Sequence, residues 1–339
     1  MTAMTTLPAT LAMSGKIPGI DLHMHSKASD GALSPTELMH LCLERGLGRV
    51  ALTDHDTVNG VAEARQAADE LGIGLLPAAE LSTQWTNIGV HVVAMMPEGE
   101  QSIMQDEHNP LRQMLDTLWE ARSTRAYTIA ERLERKGLTN ALERARACAG
   151  GRLAIGRPHF AAALVEAGMV ADIKMAFKRY LGAGKVGDVR LHWPEFSDVV
   201  RAIVAGGGIA VLAHPLRYEL TRRRLVLLLD EFMAAGGEAV ELCNGHQNDD
   251  STRDLARLLE ERQLYASVGS DFHKPGGPLA PGTFSALPRC RVAPIWTHPR
   301  LVPWIDATEA STQHIITQRQ ALEASYAAHQ HDSTKEGDA

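Results

Sequence analysis

The chain has 339 residues, of which 45% are hydrophobic and 22% charged, a balance typical of a globular protein and unlike that of a disordered or fibrous one. This length allows either one large α/β barrel with an inserted lobe or two ordinary domains. A net charge of −7 argues against a broad basic surface for binding DNA, although bound divalent cations would still allow an anionic substrate.

The four cysteines are far apart and form no CxxC pair. They therefore predict neither a disulfide framework nor a thiolate zinc site, and they favour a reducing compartment. The start of the chain lacks the pattern of a signal peptide, and no segment is apolar enough to span a membrane. We expect a cytoplasmic protein without a membrane partner, with a flexible N-terminal arm at 1–18 and a disordered tail at 327–339.

The first part of the chain alternates short apolar runs with amphipathic helical segments, the pattern of successive βα units. Ser34-Pro35-Thr36-Glu37 is a capping box with proline in the first turn, so a helix should begin there and end near Gly46. The alternation favours parallel strands. Strands are predicted at 19–23, 49–53, 74–78 and 89–95, with a second helix at 58–71.

The middle of the chain changes character. Residues 97–189 are rich in Ala, Arg, Glu and Leu at helical spacing, which predicts a helical insertion. Within it, Arg122, Arg125, Arg132 and Arg135 are interpreted as an exposed helix face paired with glutamates.

Strand patterns return after the insertion, at 208–213, 239–242 and 265–270. We therefore expect 19–96 and 190–326 to form one discontinuous α/β barrel that carries the helical lobe.

Histidines and carboxylates follow nearly every predicted strand, and in a barrel of parallel strands these ends open on one face. Burying so many carboxylates without compensation would cost on the order of several kcal/mol each, and bound cations would remove that cost. Imidazole and carboxylate without thiolate favour Mn²⁺, Zn²⁺ or Fe²⁺, and the number of ligands implies two or three ions. The residues are His23, His25, Asp30, Asp54, His55, Glu80, His91, His214, Asp271 and His273.

Four motifs in this order resemble those of the PHP family, named for polymerase and histidinol phosphatase domains. The resemblance covers 20–273 and implies a distorted seven-stranded (β/α) TIM-like barrel with up to three metal ions. The motifs are Asp21-Leu22-His23-Met24-His25-Ser26 followed by Ser29-Asp30-Gly31, then Thr53-Asp54-His55-Asp56, Ala213-His214-Pro215 and Gly269-Ser270-Asp271-Phe272-His273.

The resemblance also implies which side chains hold each ion. Mn²⁺ is favoured, with Zn²⁺, Fe²⁺ or Mg²⁺ as alternatives. By the resemblance, His23, His25, Glu80 and Asp271 would hold the first ion, Glu80, His91 and His214 the second, and Asp30, His55 and His273 the third.

The insertion and its Gly156-Arg157-Pro158-His159 segment resemble the family branch that acts on nucleotides. That branch implies hydrolysis of the 3'-phosphate of a nucleoside 3',5'-bisphosphate, by a metal-bridging hydroxide that attacks phosphorus in line. Arg157 is the leading candidate to clamp a phosphate, because guanidinium matches phosphate geometry. Lys185, Lys27 and His246 are further candidates, and His159 is a candidate catalytic group or a helix-start residue.

Other functions also fit the sequence. They are a 5'-3' exoribonuclease acting on short 5'-phosphorylated RNA, an amidohydrolase-type C–N hydrolase and a non-catalytic metal-binding scaffold. Glu80 stands where amidohydrolases usually place a metal-bridging lysine, and the nearly complete ligand set favours activity over scaffolding. Histidinol phosphate is disfavoured as substrate, since the insertion suggests a larger one. The sequence leaves open the oligomeric state and the choice between free nucleotide and short RNA.

Overall fold

The computed structural model describes residues 13–15, 19–150, 155–189 and 193–308. The strands in these ranges are β1 (Met13–Gly15), β2 (Ile20–Asp21), β3 (Arg49–Leu52), β4 (Gly74–Trp85), β5 (Ile88–Met95), β6 (Ile209–Leu212), β7 (Ala239–Asn244), β8 (Tyr265–Gly269) and β9 (Leu287–Cys290). The helices are α1 (Pro35–Glu44), α2 (Val61–Leu71), α3 (Glu100–Gln105), α4 (Pro110–Glu134), α5 (Ala141–Ala149), α6 (Arg157–Glu166), α7 (Ile173–Ala176), α8 (Phe196–Ala205), α9 (Arg222–Ala234) and α10 (Asp249–Arg262).

Strands β2 to β8 form one seven-stranded sheet in chain order, and the sheet curls until its two ends meet. The N–H of Leu22 donates to the carbonyl of Val268 at 3.1 Å, and a bridge between Met24 and Phe272 continues this contact. Closure removes the exposed edges of the sheet and brings the ends of distant strands to one mouth. The predicted α/β barrel is therefore confirmed.

The predicted start of α1 is also confirmed. The hydroxyl of Ser34 accepts the N–H of Glu37 at 3.1 Å, and the Glu37 carboxylate accepts the N–H of Ser34 at 2.6 Å. This reciprocal pair satisfies two N–H groups that a helix start otherwise leaves open. It fixes where the chain turns after the segment that carries the first two histidines.

Strand β5 runs antiparallel to both of its neighbours, which corrects the expectation of parallel strands throughout. Thr86 and Asn87, with φ of 42° and 67°, connect β4 to β5 as a two-residue turn. Such left-handed turns match the twist of paired strands, so they favour a hairpin. Strand β4 consequently continues to Trp85, beyond the predicted end at residue 78, and His91 lies within β5 instead of following a strand end.

Helices α3 to α7 occupy the range 97–189, where the helical insertion was predicted, and no strand lies in the described part of this range. Ile129 and Phe160 are fully buried in an apolar cluster that belongs to these helices. Leu111 and Leu118, at the start of the same α4, pack instead into the core around the barrel. This one long helix therefore joins the core of the insertion to the core of the barrel.

Arg122 and Arg125 of α4 are buried, which corrects the expectation of an exposed arginine face. Arg122 forms a buried ion pair with Asp56, the residue after His55 in the sequence. Arg125 donates its Nε–H to a backbone carbonyl at 2.7 Å. Both guanidinium groups lie over the ring of Trp193, 5.5 and 5.2 Å from its centroid, a favourable cation–π geometry. Helix α4 is thus tied to the mouth of the barrel.

Part of the expected flexible arm is ordered. Met13–Gly15 form β1, which pairs antiparallel with β9, so the expectation for 1–18 is corrected at these residues. Residues 1–12 and 16–18, and the tail predicted at 327–339, lie outside the described residues. None of the helices in the described ranges is both long and apolar enough to cross a membrane.

Candidate metal centre

The first two histidines lie directly after β2, on a segment that Asp21 holds in place. The Asp21 carboxylate accepts the N–H groups of His23 at 3.2 Å, Ser270 at 3.0 Å and Gly282 at 2.7 Å. Burial raises the pKa of Asp21, although these donors oppose the shift. Asp21 thus joins the His23 segment to the segments that follow β8.

His23, His25, Glu80 and Asp271 form a first group whose ligand atoms converge. The Nε2 atoms of His23 and His25 are 3.1 Å apart, and Oε2 of Glu80 lies 3.3 Å from each of them. Oδ1 of Asp271 lies 3.1 Å from Nε2 of His25 and 3.4 Å from that of His23. Donor atoms from three separate segments therefore face one buried point.

His25, Asp30, His55 and His273 form a second group at the more open side of the mouth. The Asp30 carboxylate lies 3.9 Å from Nε2 of His55 and 3.4 Å from Nε2 of His273. The rings of His25 and His273 stack with centroids 4.1 Å apart. The structure therefore adds His25 to the side chains that the sequence suggested for the third ion.

Glu80 belongs both to the first group and to a third one, which consists of His55, Glu80 and His91. Its Oε1 lies 2.8 Å from Nδ1 of His91 and 2.8 Å from Nε2 of His214, while its Oε2 lies 3.0 Å from Nδ1 of His55. A carboxylate whose oxygens face different sets of imidazoles can bridge two ions. The side chains that the resemblance assigned to the three ions are thus brought together at one mouth of the barrel, whereas the Asp54 carboxylate accepts hydrogen bonds from Ser26 and Ser29.

Several buried atoms of this cluster make no hydrogen bond, and this pattern fits a set of metal ligands. Oε2 of Glu80 is one of them, although it lies within 3.3 Å of three imidazole nitrogens. Leaving a buried acceptor unsatisfied costs about 1–3 kcal/mol, whereas convergent nitrogen and oxygen lone pairs are what divalent cations bind. The unsatisfied atoms are His25 Nδ1, Asp30 Oδ1, His55 Nδ1, Glu80 Oε2 and His214 Nδ1.

The charges in the cluster shift their pKa values strongly. Although burial opposes the change, neighbouring carboxylates raise the pKa of His23 well above its usual value and that of His25 to about 10. Burial likewise opposes but does not prevent the fall in the pKa of Glu80 and Asp271, which neighbouring histidines hold well below the usual range. Burial lowers the pKa of His55 and keeps it neutral, the form in which imidazole binds metal.

A cavity of about 340 Å³ opens beside the cluster. His91 and His214 form part of its wall, and another part holds Arg125, Arg157 and Arg217 together with one carboxylate, that of Asp188, 3.9 Å from Arg157. Its volume lies in the range of small-molecule sites, roughly 300–1,000 Å³. A cavity with three guanidinium groups next to the carboxylate cluster suits an anionic ligand that reaches the cluster.

Arg125 is the most buried of the three arginines in this wall, with 6% of its surface exposed. Burial, and then the positive charges of Arg157 and Arg122, lower the pKa of Arg125 to about 9. Among the described residues no carboxylate lies within ion-pair distance of Arg125, although Asp56 and Asp188 are near enough to oppose this shift in its pKa. Its guanidinium donates to a backbone carbonyl and lies over the Trp193 ring. A buried cation without a paired carboxylate favours the binding of an anion.

Among the residues that the sequence suggested for substrate binding, Arg157 lines this cavity. Lys185 and His246 are exposed and are not part of its wall. Lys27 is also exposed, and it pairs with Glu37 at 3.2 Å. The structure therefore gives no support to these three as phosphate ligands in this cavity.

His159 lies in the first turn of α6. Its Nδ1 accepts the N–H of Gly156 at 3.0 Å, and the residue is 6% exposed. It is not part of the cavity wall. The contact with Gly156 corresponds to the helix-start role, and the catalytic role stays a prediction.

Two charged residues that contact the cluster were not predicted from the sequence. Arg217, three positions after His214, forms an ion pair with Asp271. Glu241 accepts a hydrogen bond from Nδ1 of His23 at 2.6 Å. Glu241 is acidic within an otherwise apolar predicted strand at 239–242, and that contrast is a signal that could have revealed it.

Comparison with known proteins gives consistent results. The PHP domain model matches residues 21–182. A Haemophilus influenzae protein named 5'-3' exoribonuclease is 41% identical over 276 residues, which cover 81% of this chain and 97% of that protein. A Chromobacterium violaceum protein named 3',5'-nucleoside bisphosphate phosphatase is 38% identical over 279 residues, with coverage of 82% and 95%. A structure from Chromobacterium violaceum, described as an amidohydrolase with bound sulfate and no metal, matches with a TM-score of 0.72 and 37% identity over 86% of this chain and 96% of that one. The chain therefore belongs to the PHP domain family of metal-dependent phosphoesterases.

Proposed function

We propose that this protein is a cytoplasmic enzyme that removes the 3'-phosphate from nucleoside 3',5'-bisphosphates, with Mn²⁺ as the favoured metal. The observation that carries the proposal is the arginine-lined cavity, which shares His91 and His214 with the carboxylate cluster. A substrate with two phosphates needs one anion site where the ester is cleaved and another where the second phosphate is held. The name of the Chromobacterium violaceum relative supports this choice of substrate.

The buried cluster would hold two or three divalent ions. When bound, such ions supply activated water near neutral pH and neutralise charge on the phosphoryl oxygens. Arg217 pairs with Asp271 and lines the cavity, so its guanidinium can also donate to the phosphoryl group that is cleaved. We assign the first ion to His23, His25, Glu80 and Asp271, the second to Glu80, His91 and His214, and the third to Asp30, His55 and His273, with His25 beside it.

Arg125 and Arg157 would hold the phosphate that is not cleaved. Arg125 is anchored through its Nε–H to Val189, and Arg157 donates to the carbonyl of Leu181 at 3.3 Å, so both side chains are positioned before substrate arrives. Positioned guanidinium groups fix the orientation of a phosphate through parallel hydrogen bonds. Selectivity for doubly phosphorylated nucleotides then follows from the geometry of the cavity and not from the metal cluster.

A phosphate-release screen with added Mn²⁺ tests the choice of substrate. It compares nucleoside 3',5'-bisphosphates with 3'- and 5'-monophosphates, a simple aryl phosphate, and a panel of amides and lactones. We expect the highest kcat/KM with the 3',5'-bisphosphates. Hydrolysis of amides alone would favour the C–N hydrolase, and ion binding without any hydrolysis would favour the metal-binding scaffold.

Arginine variants test the second anion site. In Arg125→Met and Arg157→Ala we expect kcat/KM for the bisphosphate to fall by roughly 10–100-fold, since one charge-assisted hydrogen bond contributes about 1.5–3 kcal/mol. Activity on the aryl phosphate should change little. Arg135→Met is the matched control, because Arg135 lies on the same helix and forms an exposed pair with Glu131. Equal losses on both substrates would contradict this account of selectivity.

A second candidate substrate is short 5'-phosphorylated RNA, supported by the name of the Haemophilus influenzae relative. In that case Arg125 and Arg157 would hold the terminal 5'-phosphate, and the adjoining phosphodiester would lie at the cluster. The same screen, extended to RNA of two to five nucleotides, separates the two candidates. A higher kcat/KM for the RNA, with release of 5'-mononucleotides, would replace the bisphosphate as substrate.

A further inference from the structure

Glu241 of β7 contacts two of the histidines to which we assign different ions. Its carboxylate is buried, with 1% of the side chain exposed. Oε1 accepts a hydrogen bond from Nδ1 of His23 at 2.6 Å, and Oε2 accepts the backbone N–H of His214 at 2.7 Å. Nδ2 of Asn244 also donates to Oε2, at 2.8 Å. One carboxylate thus binds the side chain of one candidate ligand and the backbone of another.

The contact with His23 decides which nitrogen of that ring faces the cluster. A neutral imidazole carries one proton, and a carboxylate at 2.6 Å from Nδ1 keeps the proton there. Nε2 then presents a lone pair towards His25 and Glu80, which lie 3.1 and 3.3 Å away. A proton on Nε2 would instead point into the place where an ion would bind.

The contact with His214 fixes an unfavourable backbone conformation. His214 has φ of 31° and ψ of 54°, in the left-handed region that costs a residue other than glycine roughly 1–2 kcal/mol. The hydrogen bond from its N–H to Glu241 stabilises this turn. The turn places Nε2 of His214 at 2.8 Å from Oε1 of Glu80, whereas His23 faces Oε2 of the same carboxylate.

We propose that Glu241 is a positioning residue that sets the tautomer of His23 and the backbone of His214, and thereby shapes two ion sites at once. The proposal rests on the ligand roles proposed above but not on the substrate. Carboxylates that orient a metal-bound histidine commonly change metal affinity by about 10–100-fold when they are replaced.

The variant Glu241→Gln separates the two contacts. An amide has one acceptor oxygen, and the position of Oε2 faces two donors, from His214 and Asn244, while that of Oε1 faces one. The amide oxygen should therefore take the place of Oε2, and the NH₂ group should face Nδ1 of His23. Nδ1 must then accept a hydrogen bond, so the ring proton moves to Nε2 and blocks the first ion site.

The experiment is a titration of the full chain with Zn²⁺, by calorimetry, together with ¹⁵N NMR of the histidine rings. The spectra are taken of the Zn²⁺-loaded wild-type protein and of the variant at a Zn²⁺ concentration that leaves the weakened site empty. We expect Glu241→Gln to weaken one class of Zn²⁺ site by roughly 10–100-fold and, while that site is empty, to carry the His23 proton on Nε2. Glu238→Gln is the matched control. Glu238 directly precedes β7 and accepts a hydrogen bond from His298 at 3.0 Å, and its replacement should leave Zn²⁺ binding unchanged.

Two results would overturn the proposal. One is wild-type Zn²⁺ affinity in Glu241→Gln, and the other is weaker binding in which His23 of the empty site still carries its proton on Nδ1. If Glu241→Gln does not fold, the spectrum of the wild-type protein decides, because a Zn²⁺-bound His23 with its proton on Nε2 contradicts the proposed role. Since no step uses a substrate, a wrong choice of nucleotide leaves this test intact.

Discussion

Glu80 is the residue that most of the candidate ligands share. The nitrogens of five imidazoles lie 2.8 to 3.3 Å from its two oxygens, and its side chain is buried. These histidines hold its pKa well below the usual range despite burial, so it is ionised at neutral pH. A buried carboxylate in this position is the natural bridge between neighbouring cations.

The variant Glu80→Gln keeps the shape of this residue but removes its charge. When the variant is expressed with Mn²⁺ and then dialysed, we expect it to hold at least one ion per chain fewer than the wild-type protein, measured by mass spectrometry of the metal content. We expect its rate of phosphate release to fall by about 100-fold or more. Glu37→Gln is the control, since Glu37 is exposed and pairs with Ser34 and Lys27 at the helix start. An undiminished metal content would mean that Glu80 bridges nothing.

Among individual residues, those that could be predicted from the sequence are ionisable residues next to apolar strands, such as His23 and Glu80. It did not reveal Arg125, because the spacing of arginines on a helix is the same whether the face is exposed or covered. What covers Arg125 is Val189 and Trp193, more than 60 positions further along the chain. Arg135, on the same helix, does pair with Glu131 as expected. Burial of a charged helix residue depends on packing that the local pattern does not contain.

At the scale of elements, the reversed strand β5 follows from the short connection before it. Two residues join β4 to β5, whereas a parallel connection needs a dozen or more. The length of β4, and therefore the short connection, could not be predicted from the sequence, because polar residues, including Ser82, interrupt the apolar pattern after residue 78. Ser82 is nevertheless buried and donates its N–H and hydroxyl to Asp56 at 2.6 and 2.9 Å. A polar residue with such a partner can lie inside a strand without an apolar signature.

The ion pair between Arg122 and Asp56 should carry much of the attachment of α4 to the barrel. Arg122→Ala would leave the fully buried Asp56 carboxylate without its cation, and breaking such a pair costs about 3–5 kcal/mol. We expect a loss of this size in the free energy of unfolding, measured with urea. Arg135→Ala, which removes an exposed pair, should cost less than about 1 kcal/mol. Similar losses in the two variants would show that the buried pair contributes little.

At the scale of the whole molecule, a chain of net charge −7 presents a cationic cavity beside a carboxylate cluster. The two regions are made by different parts of the fold, since the insertion supplies Arg125 and Arg157 and the barrel supplies Glu80 and Asp271. Bound cations would make the cluster attractive to phosphate as well. We therefore expect the insertion to determine substrate selectivity and the barrel to determine ion binding.

The stabilisation of the protein by Mn²⁺ should increase with pH. In the protein without ions, neighbouring carboxylates raise the pKa of His25 from 6.5 to about 10, against the effect of burial. This raised pKa stabilises the folded protein fully below pH 6.5, and the stabilisation is lost as pH rises through about 10. The lowered pKa of Glu80 and of Asp271 contributes stability above about pH 4 that is lost only in acid. An ion must displace the protons on His23 and His25, so its affinity should rise about tenfold per pH unit for each proton released. Calorimetric scans at pH 6, 7 and 8 would compare the Tm with a fixed concentration of Mn²⁺ and the Tm with EDTA. We expect the difference between these two Tm values to grow with pH. A constant or shrinking difference would mean that ions and these protons do not compete for the same nitrogens.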